Sequence, residues 1–104
     1  MEVKVWTNGK PNYSTGAGFG IRIARADREN NFSQSQPNIK LLIDDAVVDL
    51  QLTPSFWKKC HEIRHRKIGK WIVFHDLHKA LKGHPNKLVL ERTRPNEYKL
   101  CLYK

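Results

Sequence analysis

Sulfur is scarce in this chain of 104 residues, acids are few in its second half, and no long apolar run occurs anywhere. Two cysteines and one methionine leave no material for a disulfide framework or a cysteine-rich zinc module, both of which need closely spaced cysteine pairs. No segment approaches the roughly 18 consecutive apolar residues of a membrane-crossing helix, so neither a span nor a membrane partner is expected. The opening MEVKVWTNGK lacks the apolar stretch and small-residue cleavage site of a secretory signal. A cytoplasmic location follows as the expectation, with Cys60 and Cys101 as free thiols. No linker, low-complexity tract or repeat interrupts residues 1–104, which are therefore read as a single domain. A chain of this length buries about 60 to 65% of its unfolded surface without staples.

What is present in quantity is positive charge, and it is unevenly placed. Residues 1–54 hold six bases and six acids, whereas residues 55–104 hold thirteen bases and four acids, so the whole net charge of +9 lies in the second half. Residues 55–79, SFWKKCHEIRHRKIGKWIVFHDLHK, contain seven Lys or Arg, two acids and four of the five histidines. A basic surface of this kind selects polyanions, nucleic acid foremost, although a solvated face that serves solubility has the same composition.

Periodicity supplies the elements. VKVW at residues 3–6 alternates as a short strand, and TNGKPNYSTGAG after it is turn chemistry. Phe19, Ile21 and Ile23 share one face of a half-buried strand. Residues 27–38 read as a polar connection with room for one helical turn. IKLLID and AVVDLQL form a hairpin about Asp44-Asp45, with Val48, Leu50 and Leu52 facing in. Thr53 is a good N-cap and Pro54 suits the first helical position, so a helix starts there. Ile63, Ile68, Trp71, Ile72 and His75 recur at helical steps and predict a second helix from His61 to His75. LKGHPN closes the helical region, and a last hairpin pairs Leu88 and Leu90 with Tyr98, Leu100 and Leu102 around Arg94-Pro95-Asn96. The expected fold is α+β: an antiparallel sheet of about five or six short strands packed by one or two helices.

The residues assigned to nucleic-acid phosphates are Lys58, Lys59, Arg64, Arg66, Lys67, Lys70, Arg92 and Arg94, with Arg25 as an extension of the patch. Arg64 and Lys67 fall inside the apolar arc of the second helix, which requires snorkelling stems or a later helix start. The rival reading is a protein-interaction module in which aromatics interleaved with Arg, chiefly Trp57, Trp71 and Tyr103, anchor a partner. A homodimer is allowed through the exposed alternate face of the last strand, Lys99, Cys101 and Tyr103.

No catalytic residue, metal ligand or cofactor is assigned. His61 and His65 lie one helical turn apart, but Cys60 and His61 are adjacent and point apart, no second cysteine pair follows, and the local positive charge opposes a divalent cation. GAGFG at residues 16–20 precedes a strand, whereas a dinucleotide loop must precede a helix, so turn formation and close backbone approach explain its glycines. Asp44 and Asp45 are turn residues and Asp49 faces outward, which leaves no carboxylate cluster. Neither Ser55 nor Cys60 has an orienting acid and base at a recognisable spacing, so an enzyme is the least favoured reading.

The WTNG start, the TGAG turn into an R-I strand, the SFW helix and the KG-P turn together resemble the pattern of short uncharacterised bacterial proteins of about 100 residues. The resemblance spans most of the chain and implies a single compact unit with no known activity.

Overall fold

A computed structural model describes residues 1–59, 61–79 and 85–103. Its strands are β1 (Glu2–Thr7), β2 (Phe19–Ile23), β3 (Asn38–Ile43), β4 (Ala46–Gln51), β5 (Glu62–Arg64), β6 (Lys87–Arg94) and β7 (Glu97–Leu102). Its helices are α1 (Arg25–Asn31), α2 (Pro54–Lys58) and α3 (Arg66–Phe74). The α+β class holds, but the sheet has seven strands in the order β4-β3-β7-β6-β1-β2-β5 and is mixed, because β7 runs parallel to β3. The expected all-antiparallel sheet of five or six strands is corrected on both counts. Local patterning reveals hairpins, whereas the insertion of the C-terminal hairpin beside β3 is a long-range choice.

The alternating runs become strands with their apolar faces inward, as their period requires. Val3, Val5, Phe19, Ile21, Ile23, Ile39, Leu41, Ile43, Leu88, Leu90, Tyr98 and Leu100 meet in one core. Both anticipated hairpins form, with Leu41 opposite Val48 and Leu90 opposite Leu100, although Leu102, expected to face in, is exposed. Asp44 and Asn96 occupy left-handed backbone at the two turns, a conformation that Asp and Asn tolerate.

Two stretches differ from the sequence reading. Residues 25–31 form a two-turn helix, because Arg28 gains a buried anchor that local sequence does not disclose. The helix expected from His61 is instead strand β5 followed by α3 at Arg66, since Ile63 pairs with Ile21 in the core and His65 caps the helix. Arg64 thereby leaves the apolar arc and lies on a strand. Thr53 precedes α2 but makes no cap bond, its hydroxyl meeting that of Ser55 at 2.9 Å. Cys60 and, of the KG-P turn, Lys82, Gly83 and His84 lie outside the described residues.

The sheet curls. Six strand spacings of about 4.8 Å would hold the edges of a flat sheet roughly 29 Å apart, yet the edge strands β4 and β5 are joined by ten residues, five of them coiled in α2. Leu50 and Leu52 at the end of β4 share a small cavity with Ile63 of β5, and Phe56 of α2 plugs this seam. At that end Arg28 donates through Nη1 to the carbonyls of Phe56 (3.2 Å) and Trp57 (2.7 Å). Phe32 stacks on Tyr98 at 4.7 Å, and the Tyr98 hydroxyl donates to the carbonyl of Asn31.

The other end is covered by α3, whose Ile68, Trp71 and Ile72 are buried. The loop between β1 and β2 lies on this helix by direct backbone contact. Asn12 organises the loop, its side chain accepting from the amides of Ser14 and Thr15 and its carbonyl from Gly16. Gly16 then presses on α3: a Cβ on Gly69 would overlap the Gly16 carbonyl, and a Cβ on Gly16 would overlap the carbonyl of Arg66. Gly69→Ala is therefore expected to destabilise the fold by about 3 kcal/mol, the upper range for overpacking, despite the better helix propensity of Ala. Urea unfolding of the two proteins measures this, and a loss under about 1 kcal/mol would show that the loop does not need the contact.

Candidate nucleic-acid interface

The bases assigned from sequence fall into three groups. Lys58 ends α2 and Lys59 caps it, and Arg94 lies at the β6–β7 turn, all at the end where β3 begins and β4 ends. Arg92 stands opposite Tyr98 near the same end. Arg66, Lys67 and Lys70 line α3 at the opposite end, beside Asp44 of the β3–β4 turn. The six-residue β4 separates the two groups by about 17 Å at the usual rise per residue. Arg94 is paired with Glu97 at 3.9 Å, while the other seven have no carboxylate within 4 Å among the described residues.

Arg64 stands apart from both groups, on the outward face of the sheet. β5 pairs Arg64 with Gly20 of β2, and β2 pairs Gly20 with Trp6 of β1, so the three lie in one row across the strands. Because Gly20 has no side chain, Arg64 reaches over it and sets its guanidinium 5.2 Å from the centre of the Trp6 ring. A Cβ on Gly20 would come 3.0 Å from Cγ of Arg64 and 2.5 Å from the carbonyl of Ile63.

The next row in the same direction reads Glu62, Arg22, Lys4, Lys87 from β5 to β6. Arg22 meets Glu62 at 3.8 Å and Lys87 meets Glu2 at 3.8 Å, whereas Lys4 has no acidic partner among the described residues. Lys87 in turn lies 5.7 Å from the ring centre of Tyr103, which follows β7. Trp6 is half-buried and Tyr103 is exposed, and neither belongs to the core. Two aromatic rings with a cation at each, bridged by Lys4 and Arg22, therefore occupy the outward face of β1, β2 and β6. None of the three helices packs there: α3 turns its buried residues to the core, and α1 and α2 close the seam end.

Of the three aromatics assigned to interaction, Tyr103 is on this face, Trp57 is half-buried against Arg28 at 5.9 Å, and Trp71 is buried. Sequence reasoning misses Trp6. Its only signal there is an aromatic at an alternate position of a strand whose Val3 and Val5 already supply the core. The last strand is internal to the sheet, β7 lying between β6 and β3 and pairing with β3 over Glu97–Lys99, and Lys99, Cys101 and Tyr103 stand on its outward face. Cys101, a thiol on β7, is half-buried. No group of three or more metal-ligating side chains occurs among the described residues, and no helix among them is long and apolar enough to cross a membrane.

One histidine of the basic run has a defined structural duty. His65 Nδ1 accepts from the amide of Lys67 at 3.1 Å and caps α3. Burial, then the charges of Lys67 and Arg66, hold its pKa below the ordinary value. The unfolded chain thus binds the proton more readily, so this contribution is complete above about pH 6.5 and is lost as pH falls through the folded value. Protonation also removes the accepting lone pair. His65→Asn keeps a capping acceptor that does not titrate, so between pH 7.5 and pH 5 the parent should lose more thermal stability than the variant. Equal losses would mean that the cap does not respond to pH.

No family model matches the chain, and the search of curated proteins and that of solved structures each returned no significant match.

Proposed function

We propose that the protein binds single-stranded nucleic acid without chemistry, on the outward face of the sheet around Trp6 and Arg64. The observation that carries this reading is the Arg64–Trp6 contact over Gly20, on a face that none of the three described helices covers and with Lys4, Arg22, Lys87 and Tyr103 beside it. A Trp ring and a guanidinium plane offer stacking surfaces that accept any base, and Lys4 and Lys87 in the neighbouring row supply cations for a backbone. An open sheet face meets splayed bases readily, whereas reading a duplex groove asks for a protruding helix or ribbon.

Bases on the two helical ends serve this reading as a surrounding positive field that steers a polyanion toward the platform. The basic helical surface anticipated from the sequence is thus given a supporting part. A protein partner anchored by the same aromatics is the alternative, favoured by Trp6 and Tyr103 and disfavoured by the four cations among them.

The test is titration of fluorescent single-stranded DNA and RNA oligonucleotides at several salt concentrations. The parent should bind at low salt, with log affinity falling linearly against log salt. Trp6→Ala should weaken binding by about 1 to 3 kcal/mol, the usual worth of one stacked base. Joint replacement of Lys4 and Lys87 by Gln should lower the salt slope by about 0.7 for each phosphate no longer neutralised. Replacing Lys58, Lys59, Arg66 and Lys70 together by Gln should cost less than the Trp6 change. Absence of binding at low salt would sink the proposal, and so would a fourfold helical variant that loses binding while Trp6→Ala retains it.

A further inference from the structure

A groove at the α3 end lies apart from the sheet platform and has core side chains, Trp71 and Ile43, in its walls. Lys67, Lys70, Trp71 and Phe74 follow one another at i, i+3, i+4 and i+7 of α3 and form one wall. Ile43 and Asp44 of the β3–β4 hairpin stand in the other. Phe74, at the last position of the helix, is 78% exposed, the most of any large apolar side chain among the described residues. A ring so exposed adds almost nothing to its own chain's core.

The groove carries the complement of its own features. Cations lie on the helix wall and a carboxylate on the hairpin wall, and a protruding ring stands beside an apolar hollow. A two-fold rotation exchanges the walls, so the lysines of one copy face Asp44 of the other and each Phe74 enters the other copy's hollow. We infer that this groove is a self-association surface and that the protein forms an isologous homodimer through α3 and the β3–β4 hairpin. A second copy fits better than an acidic peptide, because it brings a carboxylate to the lysine wall and a lysine to Asp44, whereas an acidic peptide would satisfy the lysines and leave Asp44 without a cation. The surface shares no residue with the Trp6 platform, so the inference stands or falls independently of nucleic-acid binding. It differs from association through the last strand, whose residues lie on the outward sheet face.

Sedimentation velocity without nucleic acid tests it, over a concentration series at about 0.15 M salt, where the net charge of +9 is screened beyond roughly 8 Å. A reversible monomer–dimer equilibrium is expected, in the weak range that a small interface gives. Phe74→Ser should leave the thermal melt unchanged, because the ring is exposed, and weaken the dimer at least about tenfold, equivalent to 1.4 kcal/mol. Lys70→Glu should also weaken it by placing like charges opposite each other, and adding Asp44→Asn, which keeps a residue tolerant of left-handed backbone, should restore part of the loss. A monomer at every concentration up to about 1 mM, the weak limit for such an interface, would overturn the inference. So would a dimer that Phe74→Ser leaves intact.

Discussion

The seam end of this protein is held by one buried guanidinium. Arg28 is only 7% exposed, and it donates to carbonyls at the end of α2 while facing the ring of Trp57. A cation at the carboxyl end of a helix satisfies carbonyls that the helix leaves without partners and meets the negative end of its dipole. Here that favourable site lies where the sheet closes on itself. Phe56, beside the bonded carbonyl, fills the space between β4 and β5 and touches Phe32, which rests on Tyr98 at the start of β7. One charged side chain thereby links α1, α2 and the sheet, and desolvating it makes sense only because several partners share it.

The two ends of the molecule are secured by different physics. The seam end uses a charged donor and stacked rings, and the α3 end uses the absence of side chains, with Gly16 and Gly69 in backbone contact. Between them the outward face of the sheet carries none of the three described helices, and there the same device recurs: a glycine at position 20 removes a side chain so that two others can meet. The contact over Gly20 thus depends on an omission as much as on Trp6 and Arg64 themselves.

Much of the framework was legible because period-two patterns report directly on which residues face inward. Phe19, Ile21 and Ile23, the Asp44-Asp45 turn, and Leu88 and Leu90 set against Tyr98 and Leu100 all follow from local alternation and turn chemistry. β5 was hidden because three residues, Glu62 to Arg64, are too few to show a period and sit among helix formers. The parallel pairing of β3 with β7 was hidden because no local signal selects between distant strands. The candidate site was half visible for a related reason: charge density marked Arg64, but its significance needs Trp6, fifty-eight positions earlier in the chain and two strands away. Scatter of the other bases over two ends is likewise a property of the fold and not of the sequence.

The order of the strands also has a consequence for how the chain assembles. β1, β2 and β5 make one sheet fragment and β3 with β4 another, and the hairpin of β6 and β7 lies between them as the joint. Of these strands, that hairpin is the last to leave the ribosome. Until it arrives, β1 and β3 each present an unpaired edge, and the two fragments have no hydrogen bonds across the gap that will become the middle of the sheet. The sheet is therefore complete only when the sixteen residues from Lys87 to Leu102 are paired with both β1 and β3, which makes the C-terminal hairpin the element through which two half-sheets become one hydrogen-bonded unit.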